Sequence, residues 1–144
     1  MAKFPLIFEV SGEATDKIGE SWHTKGSKLP AISCCVPPEF GGPGGTYTPE
    51  DFFAMAVINC ILATFKVYCD KTRLGFAKIK ATAQLTLDHD QSTEQLGFSN
   101  IKMSFEITAP TDQTKVVKLL AQAVQKCPIS SSIKTAKTMQ ISVV

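Results

Sequence analysis

Two cysteines stand in the settings that matter most for covalent chemistry. Cys60 lies inside a long apolar run, 52–65, interrupted by Asn59. A free thiol there is a small hydrophobe that packs well. Cys127 directly precedes Pro128, at a break between two helical stretches. A thiol at the start of a helix has amide donors pointing at it, which lowers its pKa and favours the nucleophilic thiolate. Cys34, Cys35 and Cys69 bring the total to five, an odd number, with none of the paired CxxC or Cys/His spacing of a zinc site. In a reducing compartment the free thiol is the default state. Metal binding through Cys34, Cys35 and His23 has no recognised ligand spacing, so no metal is expected. The loop Gly41-Gly42-Pro43-Gly44-Gly45 continues into Thr46-Tyr47-Thr48-Pro49 and lacks the Gly-Lys-Ser/Thr ending that cradles phosphate. It reads as a connector, and no cofactor is expected.

The elements that must position these residues follow from pattern. A chain of 144 residues, 44% hydrophobic, suits one folded unit, 1–144. The net charge of +2 is scattered, with no basic block to follow a phosphate backbone, which argues against nucleic acid as a partner. No secretory signal is visible, so a cytoplasmic address is expected. The run 52–65 is shorter than the roughly 20 residues of a membrane span, so no membrane association is expected and a buried core helix is. Thr48 can cap that helix, Pro49 fits its first position, and Glu50 and Asp51 complement its dipole. Apolar side chains on nearly every face from Phe52 to Cys69 predict a helix wrapped by protein, more than one chain of this size readily covers, which hints at a second subunit.

Upstream, Leu6, Phe8 and Val10 alternate with Ile7 and Glu9 as a first strand ended by Ser11-Gly12. Ile18 and Trp22 suggest a second strand over 17–24. Ile32, Cys34 and Val36 suggest a third, which turns Cys34 inward and Cys35 outward. Downstream, 79–87 and 100–107 alternate with period two and predict an antiparallel hairpin around a polar loop at 88–96. Pro110-Thr111-Asp112 opens a second helix with an apolar stripe through Val116, Leu120 and Val124. Cys127-Pro128 stops it and starts a short third helix, and Met139, Ile141 and Val143 close the chain as a strand.

The stretch Pro49-Glu50-Asp51-Phe52-Phe53-Ala54-Met55-Ala56-Val57-Ile58-Asn59-Cys60 resembles the helix start and first cysteine of the OsmC/Ohr family (osmotically inducible protein C-like and organic hydroperoxide resistance proteins). The Gly-rich loop upstream and Cys127-Pro128-Ile129-Ser130 resemble that family's other motifs, and the element order is similar over nearly the whole chain. The resemblance implies an α+β fold with antiparallel sheets packed around a long buried central helix, in an intertwined homodimer. It also implies a cytoplasmic, stress-related thiol peroxidase that reduces organic hydroperoxides. Cys60 would become a sulfenic acid and Cys127 would condense with it, leaving a disulfide for an external dithiol, such as a lipoylated protein, to reset. Glu50 stands ten residues from Cys60, roughly 15 Å along a helix, so its part in the site requires an antiparallel partner helix.

In one respect the sequence departs from the pattern. In the peroxidase branch an N-terminal arginine pairs with the glutamate and holds the thiolate, whereas the single arginine here, Arg73, follows the long helix. Lys17 lies nearest the expected place, ahead of His23 and Lys25. A lysine supplies point charge without the guanidinium fork. The alternative reading is a small-ligand-binding or stress-related protein of the same fold with weak or no peroxidase activity.

Overall fold

The structure is a computed structural model and describes residues 2–144. The chain groups into two compact units, one ending at Phe52 and the other Phe53–Val144.

The first unit holds a three-stranded antiparallel sheet, β1 (Val10–Glu13), β2 (Trp22–Gly26) and β3 (Ile32–Cys34), in the order β1-β2-β3. The first strand therefore begins at Val10 and includes Ser11 and Gly12, where the sequence pattern ended it. Leu6, Ile7 and Phe8 stay exposed and unpaired, because β1 pairs with β2 only from Val10↔Gly26 onward. β2 likewise starts at Trp22, and Lys17 sits in the connector. Cys35 is a further correction: it is fully buried, not outward. The alternation rule fails there because β3 ends at Cys34, and Cys35 instead donates its backbone N–H to the Tyr47 carbonyl at 2.9 Å. A 3-10 turn, Pro38–Phe40, then leads into the glycines. Gly41 has φ of +90°, and a Cβ at Gly42 would overlap the Val36 carbonyl, so this segment needs glycine rather than merely tolerating it.

Helix α1 (Pro49–Thr72) starts in the first unit and continues in the second. Its start is reciprocally capped: the Asp51 N–H donates to Thr48 Oγ1 at 3.2 Å, and the Thr48 N–H donates to Asp51 Oδ2 at 2.9 Å. Arg73, with φ of 56°, takes the left-handed position after its last turn. With 24 residues, α1 is long and apolar enough to cross a membrane by length and composition alone. In the fold, Val57, Ile61, Phe65 and Cys69, spaced four apart, are instead the face it buries. The other faces are not wrapped within the chain as the composition suggested; Val67, for example, is 50% exposed.

The second unit adds β4 (Lys78–His89), β5 (Leu96–Thr108), α2 (Gln113–Lys126), α3 (Pro128–Ser132) and β6 (Ala136–Val143). β4 and β5 form the expected antiparallel hairpin, with Ile79 opposite Ile107 and Leu85 opposite Ile101. The strands run further than the alternation indicated, so only 90–95 remain as the turn. There the Ser92 hydroxyl donates to the Asp90 carboxylate, as do the Ser92 and Thr93 amides, and these hold its carboxyl down at about 2. β6 lies parallel to β5, so this sheet is mixed rather than antiparallel. The two-helix crossover between β5 and β6 is long enough to return the chain in the same direction. Ile101, Met103, Phe105 and Ile107 of β5, Val116, Leu120, Ala123 and Val124 of α2, and the α1 stripe form one buried cluster that also contains Cys127.

Candidate functional site

Cys127 is fixed by its backbone before its chemistry is considered. It caps the end of α2, donating its N–H to the Ala123 carbonyl at 2.9 Å, and its own carbonyl accepts the Ser131 N–H at 3.0 Å. Its extended conformation, φ −66° and ψ 141°, is the one a following proline imposes. Pro128 at the first position of α3 completes the helix break that the sequence predicted. The Cys127 Sγ accepts the Ser130 N–H at 3.3 Å, and the residue is fully buried.

The expected lowering of the Cys127 thiol is not what results. Burial dominates and pushes it above the ordinary thiol range, the Ser130 amide pulls the other way, and the adjacent Cys60 thiol raises it further. One amide donor does not offset removal of the surrounding water.

Cys60 projects from α1 beside the buried stripe, packed against the core cluster but half-buried rather than sealed. Its thiol is the titratable neighbour that acts on the Cys127 thiol. The fold thus brings together two sulfurs 67 positions apart in the chain, both as free thiols. The pair is asymmetric, because a reagent from solvent meets Cys60 first.

Glu50 and Lys17 both lie in the first unit. Glu50 stands in the first turn of α1, and its Oε2 is buried with no hydrogen-bond partner among the described residues. A buried carboxylate oxygen without a donor is costly. Lys17 is solvated: its side chain is 72% exposed, and its Nζ lies 3.5 Å from Glu20 Oε1.

Cys34 and Cys35 are both buried next to each other. Burial raises the Cys34 thiol most, with Cys35 and the carboxylates of Glu50 and Asp51 adding to it. Cys69 packs in the α1 stripe and is also raised by burial. Among the described residues no three His, Cys, Asp or Glu side chains gather as a metal site. His89 is exposed, with Nδ1 3.0 Å from the Glu94 carbonyl oxygen. Sequence reasoning named Ser130 within the Cys127-Pro128-Ile129-Ser130 motif but gave it no role of its own, and the signal available was its position three residues after Cys127, where a residue faces back toward the cap.

A family profile described as OsmC-like protein matches residues 42–142. No curated protein matches the sequence. Among solved structures, the chain is similar to an OsmC like protein from Mycoplasma pneumoniae, with a TM-score of 0.83 at 12% identity, covering 98% of this chain and 99% of that one. It is similar to an organic hydroperoxide resistance protein OsmC from Legionella pneumophila, with a TM-score of 0.74 at 22% identity and 98% of each chain covered. It is also similar to the organic hydroperoxide resistance protein OhrB of Bacillus subtilis, with a TM-score of 0.69 at 15% identity, covering 96% of this chain and 98% of that one. At these identities the likeness is one of fold.

Proposed function

Because the chain belongs to the OsmC-like protein family, we propose that it is a thiol-dependent peroxidase that reduces organic hydroperoxides through Cys60 and Cys127. The observation that carries this reading is the reachable Cys60 thiol set against the sealed Cys127 thiol. The Cys60 sulfur bonds to the terminal peroxide oxygen and the O–O bond breaks. The alcohol departs with a proton, leaving Cys60 as sulfenic acid. The Cys127 sulfur, its proton released to solvent, then bonds to the Cys60 sulfur, the S–O bond breaks, and the leaving hydroxide takes a proton from solvent as water. An external dithiol, dihydrolipoamide or a lipoylated protein in a cytoplasmic setting, is oxidised as it restores the pair.

One equivalent of cumene hydroperoxide is expected to produce a Cys60–Cys127 disulfide by peptide mass spectrometry, with Cys34, Cys35 and Cys69 still titrating as thiols. Because Cys127 is raised and attacks as thiolate, the disulfide-forming step quickens with pH, by about tenfold per unit below its titration. Recovery of both thiols in the free state after hydroperoxide would reject the reading.

The proposed working form is a two-fold homodimer. The uncovered faces of α1, the exposed Phe4, Leu6, Ile7 and Phe8, and the orphan Glu50 oxygen all suit a second copy, whose antiparallel α1 would bring its Glu50 to this chain's Cys60. Sedimentation equilibrium at micromolar concentration is expected to give twice the chain mass, and a monomer there would remove Glu50 from the site.

Lys17 favours the second reading, a ligand-binding protein of the same fold, since it pairs with Glu20 in solvent. A Cys60 that alkylates with iodoacetamide only above about pH 8.5 would support that reading over catalysis.

A further inference from the structure

Three consecutive serines form the body of α3, and they behave differently. The Ser131 and Ser132 hydroxyls each donate back to the Pro128 carbonyl, at 3.2 and 2.6 Å. This is the ordinary way a short hydroxyl side chain satisfies itself on a helix. Ser130 does not do so. It is 2% exposed, and its Oγ has no hydrogen-bond partner among the described residues. A buried hydroxyl left unpaired is uncommon enough to require a reason.

The reason lies three residues back. Cys127 caps α3 and Ser130 occupies the third helical position, the geometry in which that side chain faces the cap. The Ser130 N–H already holds the Cys127 Sγ at 3.3 Å. Its hydroxyl makes no formed hydrogen bond to the neutral thiol, a weak acceptor, and its side chain acts on that thiol in the direction of proton release. With only five residues, α3 has little macrodipole, so these individual donors are what act on the sulfur.

We infer that the Ser130 hydroxyl is the second hydrogen-bond donor to the Cys127 sulfur, engaged when that sulfur is negatively charged, and is thus a positioning residue for the thiolate. The assignment rests on the redox reading of the pair and extends it to the resetting step. There the dithiol's thiolate bonds to the Cys60 sulfur, the Cys60–Cys127 bond breaks, and the electron pair stays on Cys127 before that sulfur takes a proton. A second thiolate from the same dithiol then displaces Cys60 and closes the reductant's own disulfide. Two donors on Cys127 and, among the described residues, none of this kind on Cys60 direct the first attack to Cys60. The titratable group facing Cys127 is the Cys60 thiol of α1; its other core companions, including Leu120, Ala123 and Val124 of α2 and Met103 of β5, carry no charge.

The test is a thiolate titration without hydroperoxide, so its outcome does not depend on turnover. In a Cys60→Ser background, ultraviolet thiolate absorbance is followed against pH, and subtraction of the Cys60→Ser/Cys127→Ser curve isolates Cys127. Adding Ser130→Ala is expected to reduce the Cys127 thiolate fraction by about three- to tenfold at any pH below its titration, as loss of one charge-assisted donor requires. Ser130→Thr, which keeps the hydroxyl, is expected to stay near the parent. An unshifted Ser130→Ala curve overturns the assignment, and so does a Ser130→Thr curve that follows Ser130→Ala.

Discussion

Cys60→Ser is expected to bring hydroperoxide consumption, measured with cumene hydroperoxide and dihydrolipoamide, down to the buffer rate, a loss of at least about a thousandfold. A serine hydroxyl in the same place keeps the packing of α1 but remains protonated near neutral pH and cannot bond to oxygen as a soft nucleophile. Cys127→Ser separates the two steps: one alcohol per chain still forms and Cys60 stops as sulfenic acid, because nothing condenses with it. Cys127 alone cannot substitute for Cys60, since its thiol is sealed and raised by burial. Turnover that persisted in Cys60→Ser would move the chemistry to another sulfur and end the assignment. A measurable first step surviving in Cys127→Ser would locate attack on the reachable member of the pair.

What the sequence made legible follows from which interactions are local. The hairpin of β4 and β5 was readable because each strand has one wet face, and Ile79, Ala81, Ala83 and Leu85 mark the other in strict alternation. The cap at Thr48 and the break at Cys127-Pro128 were readable because both are decided within four residues. The first strand was misplaced because Leu6, Ile7 and Phe8 carry strand-like alternation, while β2 offers partners only from Val10 onward. Strand pairing is a property of two segments, and periodicity describes one. Cys35 escaped for a similar reason, since the segment at Tyr47 that takes its backbone bond lies twelve residues away. The parallel course of β6 is set by the length of the α2–α3 crossover, not by any residue within β6.

The site divides along the same line. That Cys127 would cap a helix was a local inference and holds; that capping would lower its thiol was also local and does not, because desolvation by the distant core outweighs what Ser130 supplies. The meeting of Cys60 with Cys127 could not be derived from spacing and entered through resemblance. Lys17 shows the cost of reading electrostatics from position alone: its charge lies near Glu20, at the end of a flexible four-carbon stem, in solvent. Any cation that balances the orphan Glu50 oxygen must come from elsewhere, and a second chain is the source that the uncovered α1 faces suggest.

Phe65→Ala is expected to be the most destabilising single truncation of the α1 stripe, at about 3–5 kcal/mol. Phe65 is fully buried at the third position of the Val57, Ile61, Phe65 and Cys69 row, and its ring stacks on Phe76 with centroids 5.3 Å apart and planes 25° from parallel. Alanine would remove the transfer energy of the ring and leave a cavity between α1 and the segment entering β4, where Phe76 loses its partner face. Against a typical domain stability of about 5–15 kcal/mol this is a large share, so the denaturation midpoint should fall with little change in slope. Protein concentration must be held fixed, because association would add to apparent stability. Urea unfolding of the reduced protein checks the value; a loss below about 1 kcal/mol would mean that the stripe does not anchor the helix. The result also bears on chemistry, since the same row holds the helix carrying Cys60. Phe65→Ala should weaken Cys60–Cys127 disulfide formation in proportion to the loosening of α1, leaving the intrinsic reactivity of the half-buried Cys60 thiol intact, whereas Cys60→Ser removes the reaction without unfolding anything.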